Sequence, residues 1–297
     1  MLLRFRNIDG KDLPVVHRPA LYRPKPPLAE YVELFGHWRH SGSTYRSRAL
    51  PRGAATIIFD VGRRQRLDFY TVDGTRLAVP PAIVIGTHGA SYMTDIAADE
   101  PVFAIHFRPG GAFPFLGVPQ GDLEDARVGL DEIWGRDGRE LHERLIEAPS
   151  PAAGFAVLED FLLQRARFNV RRHPGVAAAM AAIEADPSRQ MAEIRRLTGL
   201  STKRMIGVFR AEVGLAPKAY ARVRRLQAAL RRLDAGTERG ARVAADTGYF
   251  DQAHFVREFR SFTAMTPTQY RAQRIVLPSH VPTERHKYPR RRAAARP

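Results

Sequence analysis

The strongest constraint on this chain is a repeat in its last third. Thr198-Gly-Leu-Ser-Thr-Lys-Arg-Met-Ile-Gly-Val-Phe-Arg210 is echoed by Thr247-Gly-Tyr-Phe-Asp-Gln-Ala-His-Phe-Val-Arg-Glu-Phe-Arg260. One extra residue in the second turn changes the offset from 49 to 50, after which Met205 corresponds to Phe255, Phe209 to Phe259, Pro217 to Pro267 and Tyr220 to Tyr270. Each copy reads as an apolar helix, a short turn with glycine and a second helix, which is the helix-turn-helix layout.

The residue chemistry of each copy fits that layout. In the first, Leu197, Leu200, Met205 and Phe209 are expected to form a small core, Gly199 to make the turn and Ser201 to cap the next helix. The outward face then presents Thr202, Lys203, Ile206, Gly207 and Arg210. In the second, Val243, Tyr249, Phe255 and Phe259 are expected inside, Gly248 at the turn and Asp251 at the cap. Gln252, Ala253, Val256 and Arg257 face outward. A recognition helix in the major groove needs donors and acceptors near its N-terminal end; Gln can read adenine and Arg guanine bidentately. Lys203, Arg204, Arg257 and Arg260 also fit a plain solvated face. His254 fits either a phosphate contact or packing on the capping turn.

Charge separates the two halves. Residues 1–188 carry 23 basic and 23 acidic side chains, and residues 189–297 carry 24 and 8, so the whole excess of +16 lies in the last third. Six of those 24 lie after Ile275 and suit a solubilising tail, but the rest lie in segments patterned to fold. A basic folded surface points to a polyanion, here double-stranded DNA.

Helices are expected near 176–185, 189–197, 202–211, 217–233, 239–245, 252–261 and 267–273. The last opens on Thr266-Pro267-Thr268-Gln269, a capping box with proline in the first turn. The helix at 217–233 spans roughly 25 Å, a rigid spacer able to set two recognition helices about one DNA turn, ~34 Å, apart. It is itself basic, with Arg222, Arg224, Arg225, Arg231 and Arg232.

Before residue 169 the pattern differs. An amphipathic segment covers 28–38, and β-like runs at 54–61, 67–72, 82–86 and 102–107 suggest a small sandwich or barrel. Helical periodicity follows at 139–148 and 152–168. The fold class expected is α+β: a β-rich domain over 1–168 with flanking helices, a linker at 169–175, an all-α DNA-binding domain over 176–275 and a basic, unstructured tail over 276–297.

Other chemistries find little support. The chain has no cysteine, which excludes disulfides and thiol nucleophiles. Ser41, Ser43 and Ser91 lack a nucleophile-elbow context. His88 and His106 lie near strands without a partner at ligand-like spacing, so no metal and no cofactor are expected. No apolar run approaches the roughly 18 residues that span a bilayer, and the first ten residues lack a signal-peptide core, so no membrane association and a cytoplasmic location are expected.

At the repeat the sequence resembles the AraC/XylS family of bacterial transcription regulators. The resemblance covers 190–274 and is densest at Ala244-Ala-Asp-Thr-Gly-Tyr-Phe-Asp-Gln-Ala-His-Phe-Val-Arg-Glu-Phe-Arg260 and Met265-Thr-Pro-Thr-Gln-Tyr-Arg271. It implies base-facing positions at Lys203, Ile206 and Gly207, and at Gln252, Ala253 and Arg257. Ile206 and Gly207 cannot make bidentate base contacts, so the first helix would lean on phosphates and thymine methyls. Ala264 stands where the family has glycine, which strains that turn by about 1–2 kcal/mol if it is left-handed.

A weaker likeness to a cupin-like sensor domain rests on Pro26-Pro-Leu-Ala-Glu-Tyr-Val32, Leu50-Pro and Phe107-Arg-Pro-Gly-Gly111. Phe59, Phe69, Tyr70, Tyr92, Phe103 and Phe107 suit a filled core better than an effector pocket. The expected protein is a sequence-specific transcription regulator, open to a small-molecule effector and to homodimerisation through its N-terminal part. Two readings stand against it: a cupin-type enzyme with an appended nucleic-acid-binding domain, and a nonspecific architectural DNA binder.

Overall fold

Continuous apolar runs such as TIIF and AIVI cannot leave either face of a strand in water, so they belong in a sheet covered on both sides. The computed structural model, which describes residues 19–40, 44–65, 67–71, 74–166, 172–235, 240–273 and 279–283, places them there. Its strands are β1 (Ala20–Tyr22), β2 (Val32–Arg39), β3 (Tyr45–Ala49), β4 (Thr56–Asp60), β5 (Leu67–Tyr70), β6 (Arg76–Val79), β7 (Ala82–Ile85), β8 (Tyr92–Ile96), β9 (Pro101–Phe107), β10 (Arg127–Gly129) and β11 (His280–Pro282). They form two antiparallel sheets, β1-β2-β9-β4-β7-β10 and β11-β3-β8-β5-β6.

The two faces of the six-stranded sheet are covered differently. On one, Phe35, Ile57, Phe59, Val84, Phe103 and Ile105 pack under α1 (Phe113–Leu116), α2 (Leu130–Trp134), α3 (Arg136–Ile146) and α4 (Pro151–Arg165). On the other, Ile58, Ile83 and Ile85 meet Phe69 and Tyr92 of the second sheet in a much smaller cluster. Phe59, Phe103 and Phe107 are therefore core, as their composition suggests, while Phe69 and Tyr92 border a cavity between the sheets.

The rest of the described chain is helical: α5 (Pro174–Ala185), α6 (Met191–Thr198), α7 (Thr202–Val213), α8 (Pro217–Ala235), α9 (Gly240–Asp246), α10 (Gln252–Thr263) and α11 (Pro267–Gln273). Local signals fix several ends. Thr266 Oγ1 accepts from the Gln269 backbone N–H at 3.2 Å and Gln269 Oε1 accepts from the Thr266 N–H at 2.8 Å, the reciprocal box its sequence spells. The α10 C-terminus does turn left-handed at Ala264, φ 57°, where the first copy has Gly214 at φ 92°.

Two expectations need correction. The expected linker lies outside the described residues as far as 171, and its last two residues, Pro174 and Gly175, already open α5 because proline suits the first helical turn. The tail expected to be unstructured from 276 contains β11, which pairs with β3 in register His280↔Ala49. Val281 is fully buried, and the backbone bonds Leu50 N–H to Ser279 O at 2.7 Å and Thr283 N–H to Arg46 O at 2.9 Å seat the strand on either side of it. Residues 284–297 lie outside the described residues.

The helical unit and the sandwich share an interface. Leu50 and Val281 belong to the helical core, Gln227 Nε2 donates to Pro51 O at 2.6 Å, and Thr87 Oγ1 donates to Val213 O at 3.0 Å. At Gly214 a Cβ would lie 2.7 Å from the Thr87 side chain, so this position requires glycine for the close approach as well as for its φ. No helix among the described residues is long and apolar enough to cross a membrane.

Candidate nucleic-acid interface

Each copy of the repeat folds into a helix pair around a small apolar seam. In the first, Ile194 of α6 and Met205 and Phe209 of α7 are buried, with Leu200 packed against them. Leu197, expected in this core, is instead 56% exposed; Ile194 takes the inward position one turn earlier on α6. In the second, Val243, Tyr249, Phe255 and Phe259 are all buried, with ring centroids 5.0 Å apart for Tyr249–Phe255 and 5.5 Å for Phe255–Phe259. The turns carry Gly199 and Gly248 at φ 66° and 77°.

The two recognition-type helices are capped alike. Ser201 Oγ accepts from the Arg204 N–H at 3.3 Å and Asp251 Oδ1 from the His254 N–H at 2.6 Å. These caps leave Thr202, Lys203, Arg204, Ile206, Gly207 and Arg210 exposed on α7, and Gln252, Ala253, Arg257 and Arg260 exposed on α10. A Cβ on Gly207 would meet nothing, so the backbone there is open to close approach. Val256, expected outward, is half-buried against the core. His254 belongs to the turn: its ring packs edge-on to Tyr249 and its Nδ1 accepts from the Phe250 N–H at 3.4 Å.

The distribution of charge is more selective than the sequence suggests. On α8, Arg222 and Arg225 converge on buried Glu258 of α10 at 2.7 and 3.6 Å, Arg224 pairs with Glu184 and Arg232 with Asp246. Those arginines bind the helices to one another, so they are not the surplus positive surface. Among the described residues, Lys203, Arg204, Arg257 and Arg260 make no ion pair, and Arg195 and Arg196 in the last turn of α6 join them as exposed cations. Arg210 is the exception on α7, paired with Glu124 of the sandwich at 2.6 Å. Glu258 was missed by sequence reasoning because an acidic residue inside a basic helix reads as surface; its partners lie 33 and 36 positions away.

A cleft between the sheets opens to solvent, and its walls include Trp38, Phe69, Tyr92, Asp95 and His280. Asp95 accepts from Arg46 at 3.1 Å and from the Tyr70 hydroxyl at 2.5 Å. Burial pushes His280 and His88 down to about 4, so both imidazoles are neutral near pH 7. His88 Nδ1 bonds Ala90 O at 2.7 Å, and Arg52 Nη1 donates to His106 Nδ1 at 2.6 Å. No group of three or more potential metal ligands occurs among the described residues.

Residues 194–273 match a family model described as a helix-turn-helix domain, and residues 20–129 match a domain of unknown function (DUF6597). An uncharacterized HTH-type transcriptional regulator of Haemophilus influenzae is 27% identical over 113 residues, 37% of this chain; the chain spans 35% of that relative's length. Among solved structures, a probable AraC family transcriptional regulator from Rhodopseudomonas palustris is 28% identical over 32% of this chain and 92% of that one, with a TM-score of 0.29. ToxT from Vibrio cholerae covers 80% of this chain and 96% of its own at 10% identity, with a TM-score of 0.45.

Proposed function

We propose that this chain, whose C-terminal unit is a helix-turn-helix domain of the AraC type, is a sequence-specific transcription regulator that reads two successive major-groove segments of double-stranded DNA. The observation that carries the reading is the duplicated pair of capped helices, α7 and α10, whose outward faces hold cations without ion pairs while Arg222, Arg224, Arg225 and Arg232 of α8 are paired internally. Lys203, Ile206 and Gly207 face bases in one groove and Gln252, Ala253 and Arg257 in the next. Gln252 is suited to adenine N6/N7 and Arg257 to guanine O6/N7. Thr202, Arg204, Arg210, Asp251, His254 and Arg260 frame these positions and favour phosphates or the helix caps. The DNA-binding domain begins with α5 at Pro174 and runs to about 275, and the sandwich supplies the sensing part, with the inter-sheet cleft as the seat of a small-molecule effector.

The test is selection of bound duplexes from a random pool with the full-length protein at about 150 mM salt, where nonspecific contacts are weakened. Two conserved blocks about 10 base pairs apart are expected. Binding that is equally strong on all sequences and falls steeply with salt would make the protein an architectural binder instead.

A further inference from the structure

The second copy of the repeat is longer than the first by one residue, and that residue carries a large apolar side chain into solvent. In the first copy Gly199 is followed by Leu200, packed on the helical core, and then by the cap Ser201. In the second, Gly248 is followed by buried Tyr249, then by Phe250, then by the cap Asp251. Phe250 is 92% exposed.

Its exposure has no folding purpose. A residue just before a helix cap commonly closes over the fourth helical residue. In the second copy that residue is Phe255, and Tyr249 already lies against it at 5.0 Å. The first copy forms the same turn and cap with no counterpart of Phe250. The backbone of Phe250 is nevertheless fixed, because its N–H donates to His254 Nδ1 while Asp251 Oδ1 holds the His254 N–H. The ring therefore stands at the N-terminal end of α10, beside exposed Gln252 and Ala253 and on the same unit as the unpaired Arg257 and Arg260.

We propose that Phe250 is a specificity-determining residue, whose ring packs on the C5-methyl group of a thymine adjoining the base read by Gln252. The inference rests on α10 being a recognition helix. Thymine alone among the bases offers a methyl group in the major groove, and Phe is suited to it. The backbone bond fixes where the ring is attached; the ring gives up its χ1 and χ2 freedom on contact, and the apolar area buried has to exceed that cost.

The experiment uses full-length protein and the duplex recovered by selection, with each thymine replaced in turn by deoxyuridine, which removes only the methyl. Wild type is expected to lose about 4-fold in affinity at one thymine of the α10 block, the worth of one buried methyl group. Phe250→Ser should bind the thymine duplex about 5- to 10-fold more weakly and be indifferent to that deoxyuridine, with an unchanged melting temperature. Phe250→Leu should restore part of the discrimination. Affinity of Phe250→Ser equal to wild type, or an equal loss on both duplexes, overturns the proposal while leaving the recognition-helix reading intact. A pool that yields no motif overturns that reading and this inference with it.

Discussion

Arg210, near the C-terminal end of α7, binds Glu124 of the sandwich, Nη2 to Oε2 at 2.6 Å. The bridge engages one α7 cation, while Lys203 and Arg204 near the other end of the same helix are exposed and make no ion pair. Both partners are partly exposed, so the pair is worth about 1 kcal/mol or less to stability. Its effect lies in competition with a phosphate for the same guanidinium.

Glu124→Gln is accordingly expected to bind the selected duplex about 3-fold more tightly and to steepen the logarithmic salt dependence by about 0.9, one further phosphate contact. Fluorescence anisotropy across a salt series checks both. An unchanged slope would place Arg210 outside the DNA footprint.

The left-handed residue Ala264 separates the copies energetically. Ala264→Gly removes a Cβ from a φ of 57° and should stabilise the protein by about 1 kcal/mol, seen as a rise of a few degrees in melting temperature. The matching change Gly214→Ala introduces the same strain plus a clash with Thr87, and is expected to cost more than Ala264→Gly gains.

Acid should weaken the fold through His88 and His280. The unfolded chain takes up these protons near pH 6.5, whereas the folded one resists until about 4. The unfolded state therefore binds more protons in that window. Stability is complete above pH 6.5 and falls as pH drops toward 4, by on the order of 3 kcal/mol for each histidine. Arg52 repels the protonated form of both, and His106, also held low by burial, acts in the same direction. Urea unfolding at pH 7.5 and 5.5 measures the effect, and His280→Gln should shrink it.

Val281→Ala deletes two methyl groups from a fully buried position of the helical core, although the residue belongs to a strand of the sandwich. A loss on the order of 2 kcal/mol is expected. Calorimetry should show the helical and β-rich units destabilised together; a shift in only one transition would mean that the strand is seated in that unit alone.

Legibility in the sequence followed burial. The strands expected at 54–61, 82–86 and 102–107 are the central ones, whose apolar runs are covered on both faces, and β4, β7 and β9 fall inside or within a residue of them. Of the second sheet only β5 was expected, at 67–72; β3 (YRSRA) and β8 (YMTDI) went unread because charged residues pair across them, Arg46 with Asp95. In the first sheet β1 and β10 are edge strands of three residues, too short to show a period. The 28–38 stretch offered amphipathic spacing but becomes a short turn and then β2, because its register is set by β9 rather than by its own period. Every helix from α5 onward was placed to within a few residues, since caps and a local apolar stripe suffice there. The internal pairing of the α8 arginines was not legible, because their acidic partners lie 14 to 40 positions away.

The return of β11 to β3 changes what the helical unit can do as a body. At its start Arg172 Nη2 donates to Pro109 O of the sandwich at 3.4 Å, and beyond its last helix the Ser279 carbonyl accepts from the Leu50 N–H at 2.7 Å. The same unit is also held between its ends, by Gln227 on Pro51, Thr87 on Val213 and Arg210 on Glu124. Separating it from the sandwich therefore requires several contacts, far apart in the sequence, to break together, so displacement of the unit is cooperative.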